Sequence, residues 1–363
     1  MSQVARRFVS AEAPGLGRAG AGGHPCQGVW HHPAREARSA VAFVATHYEV
    51  DFSEHYLADL LAQRGFGFLG WNTRYRGQGA YFRLAGAVTD IGVGVRWARE
   101  EAGARTVVLL GNSGGASLMA AYQARALEQP DPDLPPADLF VSLNAHPGRP
   151  DVLTSWLDPA VTDETDPLSV YSGLDMFNPD HGPPYPPEFV ARYRAAQVER
   201  NERITGWCRA ELERLGARGA WDRMFAVPRT WADLRFLDLT LDPSDRPVGC
   251  YGGDPRTANL APAGLAAACT LRGWLEMWSL AESGCRAGPH LARITQPALV
   301  VQSAADQGCF PSDARAIHAA LGSADRTLVS VPGDHYLLHP AGARESVASL
   351  ISTWVNERVS PGG

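Results

Sequence analysis

The 363-residue chain contains no lysine; all 33 of its basic side chains are arginine. That absence removes several chemistries. There can be no lysine Schiff base, no Ser–Lys dyad and no lysine in a phosphate loop. Catalysis would have to come from Ser, Cys, His, Asp, Glu, Tyr or a bound cofactor. Excess positive charge is also lacking. The net charge is −6, which argues against a nucleic-acid partner or an anionic membrane surface. No apolar run approaches the roughly 20 residues of a membrane-spanning helix. The first residues, "MSQVARRFVSAEAPG", carry two arginines but no apolar stretch of signal-peptide length, so the expected location is the cytoplasm. Cysteines are few and scattered. Cys26, Cys208, Cys250, Cys269, Cys285 and Cys309 form no Cys-x-x-Cys pair, which favours reduced structural thiols over a zinc site or a disulfide framework.

What is present is an alternation. Short strand candidates "RRFVSA" and "QGVWHH" flank the Gly-rich turn "APGLGRAGAGG". "AVAFVATHY" (40–48), "FGFLGWNTR", "RTVVLLGN" and "ADLFVSLNA" read as near-continuous apolar strands, the signature of a sheet buried on both faces. Between them lie helical segments: "SEHYLADLLAQRG", with Ser53 as N-cap and Gly65 as stop, "GAVTDIGVGVRWAREEAG" and "GGASLMAAYQARALE". From residue 150 to 289 the alternation is lost. There, "PEFVARYRAAQVERNERITGWCRAELERLG" reads as a long helix or helix pair, "LRFLDLTLD" as a strand and "AGLAAACTLRGWLEMWSLAE" as a helix. "QPALVVQSAAD", "SDARAIHAALG" and "RTLVSVPG" then resume the alternation. A last helix presents Val347, Leu350, Ile351, Trp354 and Val355 on one face. The expected architecture is an α/β, doubly wound, mostly parallel sheet built from residues 1–149 and 290–363. A largely helical cap, residues 150–289, is inserted after one strand.

Three residues of this plan point to one site. In "GNSGG", Gly111-x-Ser113-x-Gly115 stands between a buried strand and a helix, where a sharp turn would lift Ser113 clear of the sheet and aim the Gly114 N–H at an incoming carbonyl. A helix N-cap is the plainer reading of the same serine. A nucleophilic serine needs a base, and "SVPGDHYLL" places His335 just past a strand, at the sheet edge where ligands bind. His339, before a proline, is the weaker choice. "VVQSAADQGCFP" offers Asp306 to orient the imidazole, with Asp151 and Asp334 as competing acids.

The elbow, the Asp loop and the final His, in the order Ser…Asp…His, resemble an α/β-hydrolase-fold serine hydrolase with a large cap. The resemblance implies acyl transfer: attack by Ser113, a proton shuttle through His335, and release by water. Members usually carry a His-Gly pair after the third strand, whose next amide completes the oxyanion hole. Here "ATHYEVDF" has His47 followed by Tyr48 in place of Gly, so the second donor is expected from the N–H of Tyr48 or Glu49. His47 is expected as a structural residue or pocket wall rather than a second base. "NTRYRGQG" is similar to the family's Arg-Gly-x-Gly turn, which implies for Arg76 a structural ion pair or carbonyl-binding role, with Arg74 or Arg76 as the alternative holder of a substrate carboxylate.

The acidic run Asp158, Asp163, Glu164, Asp166 lacks calcium-loop spacing and reads as a solvated or cap-docking loop. Most cap aromatics (Tyr185, Phe189, Trp207, Trp221, Phe225, Trp231) should form cap core. Tyr171, Met176 and Phe177 are put forward as pocket lining. The expected activity is cleavage of a carboxylic ester of a mostly apolar small molecule, without metal or cofactor, in a chain that could form a homodimer. Amide, thioester, lactone or C–C cleavage, acyl transfer to an alcohol, and ligand binding without turnover are the alternatives. Serine at the elbow excludes the routes that use an aspartate nucleophile.

Overall fold

The computed structural model describes residues 3–15 and 24–359. Most of the Gly-rich turn expected between the first two strands lies outside them. Eight strands form one sheet: β1 (Val4–Ala13), β2 (His24–Pro33), β3 (Val41–Ala45), β4 (Gly67–Asn72), β5 (Thr106–Asn112), β6 (Leu139–Leu143), β9 (Ala298–Ser303) and β10 (Arg326–Val331), in the order β1-β2-β4-β3-β5-β6-β9-β10. β1 and β2 pair antiparallel, as do β2 and β4; every other pair is parallel.

β4, β6 and β9 are buried along their whole length, and β3 and β5 in all but the first residue, so both faces of the central sheet are covered. On one face Ala42, Val44, Val107 and Leu109 pack under α2 (Leu84–Glu100) and α3 (Gly115–Glu128). On the other, Phe43, Val108, Val141 and Val301 pack against α1 (Ala58–Gln63) and α10 (Ala343–Asn356). Val347, Ile351, Trp354 and Val355 are the buried stripe of α10, while Leu350 packs at its margin.

Between β6 and β9 the chain leaves the sheet. It forms α4 (Arg149–Trp156), α5 (Pro187–Gly216), β7 (Met224–Ala226), α6 (Pro255–Leu260), β8 (Ala268–Thr270), α7 (Leu271–Met277) and α8 (Ala287–Leu291), with β7 and β8 antiparallel. α9 (Pro311–Ala320) joins β9 to β10. α8 packs on α3, so the expected insertion limits of 150 and 289 fall inside α4 and α8.

Three local expectations fail for physical reasons. "LRFLDLTLD" is not a strand. Asp233 caps a short 3-10 turn by accepting the Arg235 N–H, and Asp238 accepts from Thr240 and Tyr185, so side-chain oxygens bend the backbone where alternation suggested extension. The segment expected as one helix near 263–282 begins as β8. Its helix starts only after Thr270, whose hydroxyl caps the Gly273 N–H. Ser53 is not an N-cap: α1 begins at Ala58, and the Ser53 hydroxyl accepts from Asn72 instead. Gly65 does stop that helix, with φ at +93°.

Candidate active site

Ser113 follows β5 directly and adopts φ of +54°, a left-handed backbone that non-glycine residues rarely hold. Its N–H donates to Leu143 O at 3.0 Å, which ties the turn to the neighbouring strand. Its side chain does not cap α3; the N-cap is Gly114, with no side-chain bond. Gly115 is required by close approach: a Cβ there would stand 2.3 Å from Thr46 O. α3 therefore begins against the loop that follows β3.

Parallel register carries the other candidates to the same edge. In register, Gly111 lies beside Ser142, Leu143 beside Val301, and Val331 beside Ser303. The loops after β5, β6, β9 and β10 thus open together. Asp306 Oδ2 accepts from His335 Nδ1 at 2.8 Å, while its Oδ1 accepts from the N–H groups of Gly308 at 2.7 Å and Cys309 at 2.9 Å. The His335 carbonyl takes a bond from Asn144 Nδ2 at 3.1 Å, and Asn144 Oδ1 accepts the Ser303 N–H at 2.8 Å. One asparagine after β6 therefore fixes the histidine loop to β9. Burial works against protonating His335, but the charge of Asp306 and its hydrogen bond outweigh it, aided by Asp334, and the imidazole is held above its ordinary pKa.

The competing groups have other partners. Asp334 accepts from the N–H groups of Tyr336, Leu338 and His339 and shapes the turn. Asp151 pairs with Arg286 at 2.8 Å. His339 is exposed and bonds Asp334.

Ser113 and His335 line one cavity of about 160 Å³. Trp156, Val152, Tyr251 and Leu265 of the inserted segment form its apolar side. Trp156 packs on Trp231, and Tyr251 lies parallel over the His335 ring with centroids 5.1 Å apart. His47, His146 and Arg149 form a polar side. Burial, reinforced by the Arg149 charge, lowers the pKa of His47 well below the ordinary imidazole value and that of His146 to about 3, so both rings are neutral near pH 7. Sequence reasoning missed His146 and Arg149. Both stand in "NAHPGRP", just past β6, and the sheet-edge rule that selected His335 applies to them equally.

Arg76, Tyr171, Met176 and Phe177 lie outside the cavity. Arg76 pairs with Asp51 at 3.0 Å on the surface, and Arg74 grips the buried Asp90. Neither lines the cavity. Tyr171 is exposed. Met176 is buried with Tyr185 and Phe189 in a separate small core, and Phe177 packs beside it under Arg256. The hydrophobicity of Met176 and Phe177 serves the packing of the insertion itself. Glu49 gives its carboxylate to Arg149 at 2.7 Å, and its N–H faces His47 Nδ1 at 3.5 Å, so it is not turned toward the elbow. Tyr48 buries its ring below, its hydroxyl 3.0 Å from Ser117 Oγ; no described residue accepts from its N–H or from that of Gly114. The acidic run docks rather than coordinates: Asp158 holds Arg229 and Asn259, and Glu164 holds Arg200 and Arg203.

Asp306, Cys309 and His335 are the described residues close enough together to suggest a metal centre. The carboxylate already accepts three hydrogen bonds, two from backbone N–H groups and one from the imidazole. Burial drives the Cys309 thiol far above its ordinary pKa, so it stays protonated, and the Ser113 hydroxyl lies against it. The donor set suits a hydrogen-bonded network better than a cation.

No protein-family profile matches the sequence, and no curated protein matches it. Solved structures do match in shape. DcsB, solved in complex with its substrate analogue, superposes with a TM-score of 0.56 at 13% identity, covering 98% of this chain and 100% of that one. Est1E from Butyrivibrio proteoclasticus gives a TM-score of 0.51 at 11% identity, covering 96% and 98%. The α/β hydrolase GrgF from Penicillium sp. sh18 gives 0.50 at 11% identity, covering 97% of each. At these identities the likeness concerns the fold, which is that of the α/β hydrolases. No helix among the described residues is long and apolar enough to cross a membrane.

Proposed function

We propose that this α/β-hydrolase-fold chain is a serine hydrolase that cleaves a carboxylic ester of a small, mostly apolar molecule through an acyl-enzyme. One observation carries the reading: the Asp306–His335 pair opens on the same cavity as a serine held at an elbow with positive φ. Asp306 occupies Nδ1, which leaves Nε2 of His335 free to take the Ser113 proton. Ser113 Oγ then attacks the carbonyl carbon, and the N–H groups of Gly114 and Tyr48 receive the negative oxygen. Collapse breaks the bond to the alcohol, which leaves with the proton from His335. Water attacks the acyl-serine with His335 as base, and the acid is released as Ser113 regains its proton.

The segment from α4 to α7 acts as a cap. Its Trp156, Tyr251 and Leu265 form the apolar wall against which the substrate lies. A cavity near 160 Å³ accommodates a benzene-sized group. Short acyl chains should therefore be preferred over long ones.

The test is a fluorophosphonate probe with a panel of p-nitrophenyl esters. Ser113 should be labelled, and acetate or butyrate esters should turn over faster than octanoate. Ser113→Ala should lose at least about 10³-fold in kcat and all labelling while its unfolding transition is unchanged. An unlabelled wild-type serine would remove the hydrolase reading.

A further inference from the structure

Three side-chain nitrogens converge above the residue that follows Ser113. A Cβ placed on Gly114 would meet His47 Nε2 at 2.9 Å, Arg149 Nη1 at 3.1 Å and His146 Nε2 at 3.4 Å. Gly114 has φ of −58°, which any residue can adopt. Glycine is needed there because these groups occupy the space a side chain would take.

The hydrogen bonds behind His47 and Arg149 set what these two offer. His47 Nδ1 accepts the Val50 N–H at 3.3 Å and faces that of Glu49 at 3.5 Å. A backbone N–H can only donate, so Nδ1 carries no proton and the neutral ring carries its proton on Nε2. The ring is steadied by stacking on Phe52. Arg149 is 2% exposed. It gives Nη2 to Glu49 Oε1 at 2.7 Å and has no other acceptor among the described residues. Its guanidinium is clamped between the rings of Tyr48 and Trp278, 4.8 and 4.6 Å from their centroids. The Glu49 contact and the two rings fix its plane, with Nη1 left at the elbow.

We propose that His47 Nε2–H and Arg149 Nη1–H are catalytic donors to the substrate oxyanion, beside the backbone N–H of Gly114. The inference rests on the serine-hydrolase reading and extends it. These two side chains add to the backbone N–H groups of Gly114 and Tyr48, which have no acceptor among the described residues. Donors fixed before reaction, in a site shielded from water, gain most when the carbonyl oxygen takes on charge, because no reorganisation is needed at that moment. A neutral imidazole N–H used as an electrophile also leaves His335 as the one basic imidazole of the cavity.

The experiment uses p-nitrophenyl acetate, which has no charged group that Arg149 could bind in the ground state. His47→Phe and Arg149→Met should each lower kcat by about 10²–10³-fold, with KM within about threefold of wild type. His47→Gln, which keeps a neutral N–H donor, should recover at least about tenfold of the loss in His47→Phe, a rescue that a packing role would not show. Arg149→Met keeps an apolar stem between Tyr48 and Trp278. Should it fail to fold, the two His47 variants decide the matter by themselves. Turnover of acetate within about threefold of wild type in His47→Phe, or a loss confined to KM, would overturn the proposal. If wild-type Ser113 resists the fluorophosphonate, the hydrolase reading falls and this inference with it. If the wild type is labelled and only the variants behave as wild type, this inference alone is lost.

Discussion

His335 meets two opposed influences. Burial favours the neutral ring, while the Asp306 carboxylate and the more distant Asp334 favour the imidazolium, and the acids prevail. A base held above the ordinary imidazole value of about 6.5 must lose its proton before it can accept one from Ser113. The expected kcat/KM profile therefore rises with pH through a midpoint above that value, and a pH–rate series on an uncharged ester measures it. A midpoint below about 6 would contradict the Asp306 pairing. Asp306→Asn removes the charge and can place the ring proton on the wrong nitrogen, with a cost of at least about 10²-fold in kcat. Asp151→Asn and Asp334→Asn should each stay within about tenfold of wild type, since one acid pairs with Arg286 and the other shapes a turn. Crippling by Asp151→Asn with a mild Asp306→Asn would reassign the acid.

At the scale of elements, the elbow works because β5, α3 and the loop after β3 nearly touch. A Cβ at position 115 would press on Thr46 O, a backbone atom that cannot rotate away. Gly115→Ala should cost about 1–3 kcal/mol in urea unfolding. It should also slow ester hydrolysis at least about tenfold, because the displaced loop carries His47. Unchanged stability would mean that the loop and helix have room to separate. α5 shows a different solution to burial. Its inward face presents Gln197, Arg200 and Asn201, each fully bonded: Gln197 Nε2 to Ser155 O and Leu157 O, Arg200 Nη1 to Asp158 O, and Asn201 Nδ2 to Trp278 O. Buried polar groups with partners cost little, so the insertion is held to this helix by a polar seam as well as by the aromatic cluster around Phe189 and Tyr193.

For the whole molecule, the charge network of the insertion sets the response to acid. Asp233 is fully buried between Arg194 and Arg235, at 2.7 Å from each. Burial opposes its charge, but the two guanidiniums outweigh burial and hold the carboxyl below the ordinary range. A depressed folded pKa adds stability above the unfolded value of about 3.9. That stability is lost as pH falls through the folded value. Asp233→Ala should destabilise the protein by about 3–5 kcal/mol at pH 7, since it strands buried charge, and the gap to wild type should narrow as pH drops below 4. Chemical denaturation at pH 7 and pH 3 checks it. An equal gap at both pH values would show that the carboxylate charge is not what stabilises this region.

The sequence by itself determined the strand–helix alternation, the elbow around Ser113, and the order in which serine, acid and histidine leave the sheet. Each rests on local physics: apolar runs for strands buried on both faces, small residues where the chain must turn, and loops at strand ends. It could not assign Arg149 and His146 to the cavity wall, Met176 and Phe177 to the packing of the insertion, or Tyr171 to its surface. Between β6 and β9 the backbone has few regular repeats. Asp and Thr side chains redirect it at Asp233, Asp238 and Thr270, so periodicity carries little information there. Which aromatic faces the serine is set by contacts between residues far apart in the chain, as when Tyr251 stacks on His335 or Arg149 pairs with Glu49. Only the tertiary structure decides those, because burial and charge pairing depend on every element packed around the site.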